Sequence, residues 1–83
     1  MNVDKQQIES LTRNIVAKRL PQVSPDKITP DAEFAALGVD SLALSWMLAD
    51  IEDTFDIELQ VGDAMKLKTP AAVVDYVAKR LAE

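Results

Sequence analysis

Apolar residues recur at helical spacing in three separate runs of this chain, and nowhere do they alternate at strand spacing for more than a few residues. Ile8, Leu11, Ile15, Val16 and Leu20 form one stripe; Leu44, Met47, Leu48, Ile51 and Phe55 form a second; Val73, Val74, Val77 and Leu81 form a third. At about 100° per residue each set covers one face of an α-helix. The chain has 83 residues, with no Cys and no His. No disulfide or thiolate-held metal can staple it. A chain this short buries only roughly 60% of its unfolded surface. Its stability must therefore come from packing these helical faces on one another.

The boundaries follow from local signals. The first stripe predicts a helix over residues 3–20, with Lys18 and Arg19 in the last turn and Pro21 as its stop. Residues 21–40 then form a long connection holding Pro21, Pro25 and Pro30. Connections of that length usually carry structure of their own. Residues 31–38 suit a short helical turn ending at Gly38, with Phe34 and Leu37 as anchors to the core. The second helix is expected over residues 41–55, about 22 Å long. Leu42, Trp46, Ala49 and Asp53 fall on the face opposite its apolar stripe. A short third helix is expected over residues 62–67, offering Ala64, Met65 and Leu67 to the core. Thr69 is an N-cap candidate and Pro70 fits the first position of a fourth helix, with Tyr76 at the edge of its stripe. The expected fold is all-α: a four-helix bundle of three main helices and one short one, with a long loop between the first two, in a single domain over residues 1–83.

Charge is unevenly placed. The net charge is −5, yet between Ile28 and Met65 there are nine acids and no Lys or Arg. The flanks hold all nine basic residues. An acidic middle disfavours nucleic acid and favours a basic protein surface as partner. No apolar stretch approaches the roughly 18 residues of a membrane span. The first ten residues are polar, unlike a signal or transit peptide. A cytoplasmic monomer is the expectation.

The candidate site is Asp40-Ser41-Leu42, directly after Gly38-Val39. A serine at a helix N-terminus lies beside unpaired N–H groups and the positive end of the helix dipole. A phosphate on its oxygen would be stabilised there. With no histidine as base, and Lys66 or Lys68 needing an extreme pKa shift, a serine hydrolase is disfavoured. The pattern points to a serine that is modified, not one that attacks. The plainer alternatives are an unmodified N-cap serine at 41 and an aspartate at 40 that only caps the helix.

Taken together, Phe34, Leu37-Gly38, Asp40-Ser41-Leu42, the run Ile51-Glu52-Asp53-Thr54-Phe55 and Thr69-Pro70 resemble the acyl carrier protein family over nearly the whole chain. The resemblance implies 4′-phosphopantetheine carried on Ser41 through a phosphodiester, its terminal thiol holding acyl groups as thioesters. It implies a carrier and not an enzyme. The expected partners are a phosphopantetheinyl transferase using coenzyme A and Mg²⁺, and a ketosynthase or an acyl ligase or acyltransferase. Asp40 would assist the modification, near the metal; the chain itself is expected to hold no resident metal. Asp before the serine leans toward acyl over peptidyl carriers. The positions of Met1 and Glu83 suggest a free-standing carrier.

The chain departs from housekeeping fatty-acid carriers just after the serine. Acids common there are replaced by Ala43 and Trp46. Leu42, Trp46 and Ala49, rimmed by Asp50 and Asp53, are the expected docking residues, an apolar anchor suited to a specialised polyketide or lipid pathway. The competing reading folds Trp46 against the long loop. Leu44, Met47, Leu48, Ile57, Met65 and Leu67 read as core that can also line a cargo cleft. A carrier-like structural subunit without cargo and an aminoacyl or peptidyl carrier are the alternatives.

Overall fold

The computed structural model describes residues 4–82. Four α-helices follow in order: α1 (Lys5–Arg19), α2 (Ser41–Phe55), α3 (Val61–Ala64) and α4 (Pro70–Ala82). A 3₁₀ turn at Pro25–Lys27 interrupts the long loop, and no strand occurs among the described residues. The chain is all-α, with three main helices, one short helix and the expected long first connection.

α1 begins where its sequence can satisfy the helix end. The Asp4 carboxylate accepts the Gln7 N–H at 2.8 Å, and the Gln7 side chain accepts the Asp4 N–H at 3.2 Å, a reciprocal capping box. The helix therefore starts at Lys5 and ends at Arg19; Val3, the expected first residue, lies outside the described residues. The buried stripe is Ile8, Thr12, Ile15 and Val16. Leu20, just past the helix end, is buried as expected, whereas Leu11, expected inside, is 38% exposed at the margin of this face while the neighbouring Thr12 is enclosed. Thr12 is fully buried and its hydroxyl has no hydrogen-bond partner. α1 packs along both α4 and α2. Val73, Val74 and Val77 of α4 and Met47, Ile51 and Phe55 of α2 complete the core, while Leu81 stays at its exposed margin.

The long loop is held by more anchors than expected. Phe34 is buried and Leu37 partly so, but Ile28 and Val39 are buried as well. Backbone bonds tie the loop to the start of α4: Phe34 N–H to Lys68 O at 2.8 Å and Ala71 N–H to Pro30 O at 2.9 Å. α4 opens as its sequence suggests, with Thr69 Oγ1 accepting the Ala72 N–H at 3.1 Å and Pro70 first in the helix.

α3 is shorter than expected and starts one residue earlier. Beyond Ala64 the chain continues in tighter turns, Lys66 N–H to Asp63 O and Leu67 N–H to Ala64 O. Leu67 is buried, Ala64 is half-buried, and Met65, expected in the core, is 73% exposed. α3 itself buries no residue. Polar ties hold it from α4: the Tyr76 hydroxyl donates to Asp63 Oδ2 at 3.1 Å, and Arg80 donates to the Tyr76 oxygen and to Glu58 O, each at 2.8 Å.

Candidate functional site

Ser41 is delivered by the turn before it. Val39 N–H bonds to Phe34 O at 3.0 Å and Gly38 N–H to Ala35 O at 3.2 Å, the paired closure of a Schellman turn. Gly38 sits at φ 93, where a Cβ would be strained. Val39 is buried, which turns Asp40 outward. Asp40 is extended, and its Oδ1 accepts the Ala43 N–H at 2.8 Å. Asp40, not Ser41, is therefore the N-cap of α2, and Ser41 is its first helical residue. The aspartate takes the Ala43 N–H and leaves those of Ser41 and Leu42 for an anion on the serine oxygen. Ser41 is exposed, and among the described residues no side chain hydrogen-bonds its hydroxyl.

A cleft of about 400 Å³ opens beside the serine. Phe34, Val39, Leu44, Ala64 and Leu67 give it apolar walls. Ser41, Asp40, Glu33 and Lys68 supply its polar lining, and Met65 lies at its edge in the exposed stretch after α3. Of the side chains expected to line a cargo cleft, Leu44, Met65 and Leu67 do so, whereas Met47 is closed in the core. A separate hollow of about 270 Å³ between α1 and α4 contains none of the expected site residues. Among the described residues no cluster of acids could hold a metal ion. The exposed serine, the N–H groups beside it and the adjoining apolar cleft fit a phosphodiester-linked arm with an acyl end.

The outer face of α2 carries Leu42 and Trp46, 59% and 50% exposed, with exposed Ala49 and Asp53. Asp50 departs from expectation. Its carboxylate is forked by Arg19 of α1, Nε to Oδ2 at 2.8 Å and Nη2 to Oδ1 at 3.1 Å. That hydrogen-bonded pairing holds the Asp50 carboxyl below its ordinary value and raises Arg19 further. Asp50 is thus occupied within the molecule and is not a free rim acid. Arg19 also lies over the Trp46 ring, 5.6 Å from its centroid. Arg19 of α1 thus covers one side of the Trp46 ring, and the indole remains half exposed. The sequence marks Arg19 only as a last-turn cation and Lys68 only as a disfavoured base; that Arg19 pairs with Asp50 and Lys68 lines the cleft has no local signal.

Fold and site together give a small helical bundle that presents an exposed serine at the start of its second helix, with an apolar cleft beside it. Residues 10–77 match the phosphopantetheine attachment site family. An acyl carrier protein of Akkermansia muciniphila is 41% identical over 73 residues, 87% of this chain and 90% of that protein. One from Desulforapulum autotrophicum is 32% identical over 74 residues, 88% of this chain and 96% of that protein. The crystal structure of a free-standing peptidyl carrier protein from an uncharacterized Acinetobacter baumannii secondary metabolic pathway superposes with a TM-score of 0.81 at 31% identity, covering 96% of this chain and 99% of that one. The chain belongs to the phosphopantetheine-binding acyl carrier protein family, and its prosthetic group is covalent 4′-phosphopantetheine.

Proposed function

We propose that Ser41 is the attachment point and that the protein presents acyl groups to separate enzymes of a fatty-acid, polyketide or other specialised lipid pathway. The observation that carries this is the exposed, unengaged hydroxyl of Ser41 at the first position of α2, on the lip of an apolar cleft. When bound, the prosthetic group supplies a terminal thiol, which a chain without cysteine lacks. The protein's own residues do the rest. Asp40 fixes the start of α2 and keeps its second carboxylate oxygen available while a transferase loads the arm from coenzyme A with Mg²⁺, a metal that favours carboxylate oxygen.

Leu42, Trp46 and Ala49 form the docking anchor and Asp53 its rim. Burying most of the Trp46 side chain in a partner is worth about 1.5–3 kcal/mol. The same reading makes the protein a substrate-presenting monomer of the cytoplasm, with the thioester chemistry done by a ketosynthase, ligase or acyltransferase. The test is intact-mass spectrometry after incubation with coenzyme A, Mg²⁺ and a phosphopantetheinyl transferase. One phosphopantetheine is added to the wild type and none to Ser41→Ala. No addition to the wild type with several competent transferases overturns the carrier reading in favour of an unmodified interaction subunit.

A further inference from the structure

The cleft beside Ser41 has a single basic side chain in its lining, Lys68; its other charged residues are the acids Glu33 and Asp40. Lys68 is exposed and is in neither of the ion pairs formed among the described residues. Its main chain is nonetheless fixed. Its carbonyl accepts the Phe34 N–H at 2.8 Å, and Phe34 opens the turn that delivers Asp40 and Ser41. On either side of it Leu67 is buried and Thr69 caps α4. The main chain of Lys68 is therefore held in the wall of the cleft that Ser41 also lines, with its exposed side chain left to move.

Local structure does not account for the charge. Lys68 directly precedes the N-cap of α4, the end of a helix where the dipole disfavours a cation. No neighbour offsets that penalty with an ion pair. The one anion the family's chemistry brings to this cleft is the phosphodiester of the arm, which would otherwise enter beside Glu33 and Asp40 with like charge. A lysine ammonium on a flexible stem suits such a partner: a compact charge with three donors.

We propose that Lys68 is the counter-ion of the phosphodiester on Ser41 and draws the arm into the cleft toward the connection between α3 and α4. The inference rests on Ser41 being the attachment point. It makes Lys68 a positioning residue for the tether, not a requirement for loading.

Wild type, Lys68→Gln, Lys68→Arg and Lys66→Gln are loaded with phosphopantetheine, checked by intact mass, and followed by phosphorus NMR from about 0.1 to about 1 M NaCl, over which the screening length falls from about 10 to about 3 Å. Lys66 is exposed and outside the cleft lining, so it is the control. The wild-type phosphodiester resonance is expected to shift with salt. In Lys68→Gln it starts near the wild type's high-salt position and loses the salt response. Lys68→Arg and Lys66→Gln behave as wild type. Loaded wild type and Lys68→Gln that coincide at every salt overturn the inference and leave the carrier reading intact. An equal loss in Lys66→Gln overturns it too, since that reports a general field. A wild type that never gains the arm overturns the attachment site and this inference with it.

Discussion

Two parts of the molecule use similar side chains in opposite ways. In the interior, Ile8 and Val16 of α1 and Val73 and Val77 of α4 are closed to solvent. At the surface, Leu42 on α2 next to Ser41, and Val61 and Met65 around α3, stand 59%, 80% and 73% exposed. The interior set sits where two helices cover it from both sides. The edge set sits on the outer face of α2, and on and just past a helix of four residues that buries none of its own side chains. Burial is what stabilises a chain of this size, so the apolar side chains left outside add little to the fold, and the proposed function gives them to partner docking.

That contrast makes its largest prediction in stability. Ile8→Ala should lower the unfolding free energy by about 2–5 kcal/mol, since a fully buried branched side chain leaves a cavity. The margin of a domain of this length is roughly 4–12 kcal/mol, so the variant could be largely unfolded. Met65→Ala should stay within about 0.5 kcal/mol of wild type. Urea denaturation of the pair checks it. Similar losses in both would mean that the edge is part of the core after all.

The next effect runs the other way. Thr12 is a buried hydroxyl with no partner, and such a group costs about 1–3 kcal/mol. Valine has nearly the same shape. Thr12→Val should therefore raise the unfolding free energy by about 1 kcal/mol, read from the same urea midpoints. A loss instead would show that the hydroxyl is bonded in solution, and that the interior is better satisfied than its geometry indicates.

Thr12 also marks where the sequence was legible and where it was not. The bounds of α2 and the Thr69-Pro70 start of α4 could be read directly, because caps and apolar periods are local signals. Of the expected α1 stripe, Ile8, Ile15, Val16 and Leu20 are buried and Leu11 alone is not, with Thr12 inside in its stead. Hydropathy favours Leu11 over Thr12, while the buried face is set by where α2 and α4 lie, which no local pattern states. Met65 failed for the same reason: it is apolar and near a helix, but nothing covers it. At the site, Asp40-Ser41 stood out as a pattern, whereas the Arg19–Asp50 fork spans 31 residues and the Phe34–Lys68 bond joins the loop to the start of α4. Pairings of that kind exist only once the helices are packed.

A smaller effect separates the two roles given to Asp40. Asparagine caps a helix about as well as aspartate, and alanine loses about 0.5–2 kcal/mol. Asp40→Ala should show that loss, while Asp40→Asn should keep wild-type stability. If the carboxylate assists loading, both variants gain phosphopantetheine more slowly, and Asp40→Asn does so without any change in fold. A normal loading rate in Asp40→Asn would reduce Asp40 to a cap, and would leave the edge with one fewer functional group.

The smallest effect lies at the border of the two regions, where Arg19 of α1 grips Asp50 and covers Trp46. Because Asp50 is held below its ordinary value near 3.8, the folded state binds its proton less readily than the unfolded state does. The pair's contribution is therefore complete above that value and is lost as the pH falls through the lowered one. Arg19, raised further, stays charged throughout. The stability difference between wild type and Asp50→Asn should be constant near neutral pH and shrink below about pH 4. Trp46 fluorescence gives an independent reading, since release of the fork frees the guanidinium from the ring. It should change in the wild type over that acid window and stay flat in Asp50→Asn. If both proteins show the same change, Arg19 does not hold the indole through Asp50, and Trp46 belongs wholly to the exposed edge.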